Sequence, residues 1–309
     1  SRPGPTALTG AAKDMSSPAP MVAHRGRIAH CLADPSGRDD ALEFFEDGVL
    51  LIDQGKVAAL GSTETLLTNL SEDIQIINHG NNLIVPGFID CHIHFPQIDV
   101  IASYGTQLLE WLENYTFPAE KRYADAAIAE QSSEFFLNEL LRNGTTSALI
   151  FATVHPTSVN AIFTAAAKRN MRVAAGKVLM DRHCPDDLQD TAQSGYRNSR
   201  ELLERWHGQD RLHYAITPRF AITSSDAQLE AAGRLAKEFP DTLIHTHLAE
   251  NHDEVRWIAE LFPDARSYLD VYNRHGLVRD RAVFAHCLHL EESDYAEMSS
   301  CGAGIAFCP

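Results

Sequence analysis

Long apolar runs are missing from this chain. Although 44% of its 309 residues are hydrophobic, no stretch is uniformly apolar over the roughly 18 residues that a membrane-spanning helix requires, so no membrane partner is expected. The first residues show no basic segment followed by an apolar one, so no secretory leader is expected and the reading is cytoplasmic. Six cysteines (Cys31, Cys91, Cys184, Cys287, Cys301 and Cys308) form no closely spaced CxxC pair. That spacing argues against a disulfide framework and for reduced thiols. Positive charge is also scarce: 26 Lys and Arg against 42 Asp and Glu leave a formal net charge of −16. A surface this acidic repels a phosphate backbone, which excludes nucleic acid as the expected partner and favours a neutral small molecule.

What the chain does have is histidine, 15 in all, and their positions follow its organisation. Residues 1–20, rich in Ser, Pro, Gly, Ala and Thr, read as a flexible tail. Residues 21–84 read as a small β domain. There Gly48–Ile52 and Val57–Gly61 flank the turn Asp53-Gln54-Gly55-Lys56, a hairpin signal. From residue 85 to 309 strands and helices alternate, which implies a parallel sheet of α/β class. The strand-like runs are Leu83–Ile89, Thr145–Phe151, Arg172–Met180, Leu212–Ile216, Leu243–Leu248, Ala282–Ala285 and Gly304–Phe307. Helical patterns cover Asp125–Arg142, closed by Asn143-Gly144, then Thr157–Arg169, opened by a capping Thr, and Ser224–Phe239. Seven strands point to a (β/α)8 TIM-type barrel over an open sheet. The seventh runs into the final residues, so the barrel is expected to be incomplete at its C-terminal end.

Three apolar strands end in histidine. The first is Val85-Pro86-Gly87-Phe88-Ile89-Asp90-Cys91-His92-Ile93-His94; side chains alternate along a strand, so His92 and His94 share a side and can chelate one metal ion. The second, Leu243-Ile244-His245-Thr246-His247-Leu248-Ala249-Glu250, offers His245 and His247 on one face. Alternation cannot choose between them, but His247 is nearer the C-terminal end, where barrel active sites sit. His247 also stands three residues before Glu250, which can turn over the barrel mouth; alternatively Glu250 is an acidic residue in a helix first turn. The third strand, Ala282-Val283-Phe284-Ala285-His286, ends in one more candidate ligand.

These strings resemble the metal-binding motifs of the amidohydrolase superfamily. The resemblance implies His92, His94, His247 and His286 as metal ligands, Glu250 as the catalytic proton carrier and His245 as a deeper barrel residue. Superfamily members also carry an Asp at the end of the eighth strand, to which no residue here is assigned. Two-metal members use a Lys at the end of the fourth strand, and the run Tyr214–Phe220 has none; Lys177 reads as a barrel-interior residue. One divalent metal follows, Zn with Fe as the alternative. The H-x-E with P-C-x-x-C design of other zinc deaminases is absent.

A more specific resemblance lies in His94-Phe95-Pro96-Gln97, Tyr104–Leu112, Tyr115–Glu120 and Thr217-Pro218-Arg219-Phe220. This is similar to the guanine deaminase family, and the likeness runs from about Phe44 to Pro309. It implies hydrolysis of guanine to xanthine and ammonia, a purine as small-molecule partner, and a homodimer. Arg219 would donate to the O6 of the base, Gln97 would read its edge, and Phe220 would form the apolar wall. The alternatives are a one-metal hydrolase of another heterocycle, such as cytosine or a triazine, and a non-catalytic scaffold of the same fold.

Overall fold

The computed structural model describes residues 20–105 and 107–308; the tail expected over residues 1–20 therefore falls almost wholly outside the described residues. The chain divides into two compact units, Ser1–Pro86 and Gly87–Pro309.

In the first unit, β1 (Val22–Cys31), β2 (Leu42–Asp53), β3 (Lys56–Ser62) and β4 (Gln75–Ile84) form one sheet in the order β3-β2-β1-β4, with the short helix α1 (Thr63–Leu66) after β3. The β2–β3 hairpin turns on Gln54 and Gly55, whose φ angles are both positive (50° and 75°). Two left-handed residues match the twist of the flanking strands, and glycine reaches that region without a Cβ penalty. Ala23, Val49 and Leu51 form the small core, with Leu66, Leu67 and Leu70 packed against it.

The second unit carries the parallel strands β5 (Phe88–His94), β6 (Thr145–Phe151), β7 (Arg172–Gly176), β8 (Val178–Leu179), β9 (Leu212–Pro218), β10 (Leu243–Leu248), β11 (Ala282–His286) and β12 (Gly304–Ala306). Their order is β5-β6-β7-β9-β10-β11-β12, with β8 paired to β9. The sheet curls into a nearly closed barrel: β5 and β10 are separated by three strands, yet His92 Nδ1 lies 2.9 Å from His245 Nε2. Among the described residues no strand pairs with the outer edge of β5 or β12.

After β5 come α2 (Leu108–Trp111) and α3 (Phe117–Lys121), joined by a wide turn, and then α4 (Ala126–Arg142), α5 (Pro156–Lys168), α6 (Ala192–Trp206), α7 (Asp226–Glu238), α8 (His252–Leu261), α9 (Tyr268–Asn273) and α10 (Glu292–Cys301). Asp125 caps α4 by accepting from the backbone N–H of Ala127, and the helix buries Ala129, Ser133, Phe136, Leu137 and Leu140, which repeat at three- and four-residue intervals on one face. Ser225 caps α7 in the same way through Gln228.

Several local expectations are corrected. The run Leu83–Ile89 is not one strand: β4 ends at Ile84 and β5 begins at Phe88, because Pro86 lacks an N–H for the ladder and biases the residue before it. Arg172–Met180 is broken at Lys177 into β7 and β8. Thr157 does not cap α5. The cap is His155, without a side-chain bond, and Thr157 Oγ1 donates instead to the Tyr123 carbonyl at 2.6 Å. Glu250 lies ahead of α8, whose cap is Asn251, so it is not a first-turn residue.

Candidate active site

Two histidines of β5 and one of β10 meet inside the barrel. His94 Nε2 is 3.3 Å from His92 Nε2 and 3.0 Å from His247 Nε2. One ligand atom from each of these residues lies within 4.8 Å of the others. Phe151 of β6 floors the cluster, its ring stacked on His94 at 4.5 Å between centroids. His286 stands beside them, its ring 5.6 Å from that of His247 and 5.5 Å from that of His92. His245 is fully buried behind His92.

The surroundings keep these rings neutral. Burial, reinforced by the neighbouring positive charges, pushes His92 down to about 3 and drives His94 and His247 well below the usual histidine range. His247 Nδ1 donates to the Arg219 carbonyl at 2.6 Å, and His286 Nδ1 to the Cys308 carbonyl at 2.8 Å. A carbonyl only accepts, so Nδ1 carries the proton in both and each Nε2 keeps its lone pair. His94 Nδ1 is buried without a hydrogen-bond partner among the described residues. Uncharged imidazoles with converging lone pairs are the donor set of a divalent transition-metal ion, and the residues present fit one.

The strand ends hold the other groups under backbone strain. Ala249, His286 and Cys287 all have positive φ (51°, 71° and 57°), a region non-glycine residues seldom occupy and which clusters at functional sites. Past Ala249, the backbone N–H of Glu250 donates to Glu254 Oε2 at 2.8 Å, and Tyr268 OH donates to the other oxygen of that carboxylate at 2.8 Å. The Glu250 carboxylate comes within 3.4 Å of His286 Nε2. Burial raises its pKa to about 7, opposed in part by the Arg219 charge.

One cavity of about 230 Å³ collects His92, His94, Gln97, Arg219, Phe220, His247, Glu250 and His286, with Leu108, Trp111 and Leu112 of the α2 region completing its wall. Thus every residue singled out in the sequence as ligand, proton carrier or base reader faces the same space. Lys177 is elsewhere: it is fully buried and paired with Asp190 and the Val178 carbonyl. The residue that sequence reasoning missed is Glu120. It is fully buried on α3, and its two carboxylate oxygens accept from Arg219 Nη1 at 2.9 and 2.8 Å. Its only signal was its place in the string Phe117-Pro118-Ala119-Glu120.

A parallel barrel with histidines at three strand ends and a buried carboxylate beside them defines a metal-site hydrolase architecture, and residues 83–309 match the amidohydrolase family model. The chain belongs to the amidohydrolase family. Among its relatives it is 52% identical over 282 residues to the guanine deaminase of Escherichia coli K12, covering 91% of this chain and 64% of that protein. It is 40% identical to a probable guanine deaminase of Deinococcus radiodurans, over 94% of this chain and 67% of that protein. The chain therefore spans about two thirds of the length of these curated relatives. The solved structure of the E. coli guanine deaminase superposes with a TM-score of 0.91, covering 93% of this chain and 67% of that one. A guanine deaminase from C. acetobutylicum, solved with guanine bound in its active site, superposes with a TM-score of 0.85 at 27% identity, over 94% of this chain and 68% of that one.

Proposed function

We propose that the protein hydrolyses guanine to xanthine and ammonia at this cavity. The observation that carries the reading is the convergence of the histidine cluster, Glu250 and the Gln97–Arg219–Phe220 group on one space, in a chain 52% identical to a guanine deaminase. His92, His94, His247 and His286 would hold one divalent ion, with zinc the expected metal. Such an ion, when bound, brings a water toward ionisation near neutral pH.

The chain's own groups divide the rest of the work. Gln97 and Arg219 hold the edge of the base and its O6, and Phe220 and Trp111 bound its apolar faces. That grip aims C2, which bears the exocyclic amine, at the histidine cluster. Glu250 takes a proton from the attacking water and passes it to a ring nitrogen as the oxygen adds to C2; it then takes the proton left on that oxygen and passes it to the amine, which leaves as ammonia. A carboxyl held near 7 can do both near neutral pH. The burial of His247 and Phe220 keeps bulk water from competing for these protons. The acting species would be a homodimer in the cytoplasm, with no nucleic acid or membrane as partner.

Ammonia release from a panel of guanine, cytosine and an aminotriazine tests the reading. Guanine should be turned over fastest, with xanthine as product. Faster turnover of cytosine or of the triazine would replace the substrate assignment, and no bound metal in the purified protein would favour a non-catalytic scaffold.

A further inference from the structure

Glu120 places a carboxyl group against the guanidinium that lines the proposed substrate site, Arg219. Arg219 and Glu120 side chains are 3% and 0% exposed. Both contacts to the carboxylate come from a single nitrogen, Nη1, so the Nη2 and Nε edges of Arg219 are not engaged by Glu120. Burial raises the Glu120 pKa, and the Arg219 charge and hydrogen bonds, with a smaller contribution from the nearby Gln97 side chain, act against that rise. The guanidinium is held on a second side by Phe117, whose ring centre lies 5.4 Å away and which belongs to the same helix α3. Glu120 therefore sits behind both polar base readers without lining the cavity itself. On the other side the Arg219 backbone accepts from His247 through N and Nδ1, which ties the base reader to the histidine cluster.

Charge decides what such a pocket takes. An unpaired guanidinium with its donors facing a cavity is an anion site. A guanidinium neutralised by a buried carboxylate at hydrogen-bond distance still donates but no longer attracts a negative ligand, and an anion meets the carboxylate's repulsion as well. We propose that Glu120 is a specificity-determining residue: by pairing with Arg219 it makes the cavity select a neutral heterocycle over an anionic one. The inference rests on the proposed guanine reading for the identity of the neutral ligand. Xanthine, which loses a ring proton in mildly alkaline solution while guanine stays neutral, supplies the anionic counterpart.

The experiment compares KM for guanine with the competitive inhibition constant of xanthine, in mildly alkaline buffer, for the intact, metal-loaded protein and for Glu120→Gln and Glu120→Asp. Glu120→Gln keeps the shape and an acceptor oxygen but loses the charge. It should weaken guanine while strengthening xanthine, so that the selectivity ratio falls by about tenfold or more. Glu120→Asp should recover most of that ratio even if both affinities drop. A purely structural role would weaken both ligands by one factor and leave the ratio unchanged, and that result, or an unchanged Glu120→Gln, overturns the inference. If the unsubstituted protein does not bind guanine, the functional reading fails first; if it binds guanine and the ratio does not move, only the role of Glu120 fails.

Discussion

The Glu250 carboxyl lies 3.4 Å from His286 Nε2 and is raised by burial to about 7. Its backbone is fixed by the Glu254 carboxylate and follows a strained Ala249. A side chain placed this way can carry protons but has no packing duty. Glu250→Gln should therefore lower kcat by about 10²- to 10⁴-fold, the usual contribution of general acid–base catalysis, and leave metal content unchanged. Elemental analysis alongside steady-state kinetics checks both halves, and activity within tenfold of the unsubstituted protein would remove Glu250 from the mechanism. At this scale the sequence was most informative where spacing carries geometry. His92-Ile93-His94 could be read as a chelating pair because strand side chains alternate, and where alternation alone left His245 and His247 open, nearness to the strand's C-terminal end and to Glu250 chose His247, which lies 3.0 Å from His94 while His245 lies 2.9 Å from His92. Glu120 was not legible, since its partner Arg219 lies 99 residues away and no local period reports a pairing of that separation.

Elements position these residues, and two of them can be tested through stability. Gly176 ends β7 where a Cβ would strike the Ala215 carbonyl of β9, so only glycine allows the two strands to approach. Gly176→Ala should destabilise the protein by about 1–3 kcal/mol, as expected for overpacking; an unchanged denaturant midpoint would show that the strands can move apart freely. On α9, Asp270 accepts from Arg266 and Arg274, and the Arg266 hydrogen bonds pull its pKa down to about 2. A carboxylate whose folded pKa is depressed adds stability above its unfolded value near 4, and that stability is lost as pH falls from about 4 toward 2. The side chain of Arg266 is 71% exposed, so solvent screening keeps the contribution of the pair small. Asp270→Asn should lower Tm at neutral pH and have no effect near pH 2; an equal loss at both pH values would contradict the linkage. Element boundaries were less legible than element types. Pro86 split one expected strand through its own missing N–H, another broke at Lys177, and Thr157 took a tertiary partner over a helix cap, where three-dimensional context overrode a local preference.

At the scale of the whole molecule, the alternation of strands and helices was enough to expect a parallel barrel, and the curl that brings β5 against β10 could not be read from periodicity. That curl gathers the candidate ligands from three distant strands, so binding of a metal ion there would be linked to barrel integrity. Binding to the folded state alone should raise Tm, by about 3 kcal/mol of stability at a hundredfold excess over Kd. The central claim is that one ion held by these histidines supports hydrolysis of guanine. It is tested most directly by stripping the intact protein with a chelator and following xanthine formation while zinc is titrated back. The account predicts loss of turnover on stripping and full recovery at one equivalent of metal per chain. Undiminished turnover in the stripped protein, or recovery that needs two equivalents, would contradict it.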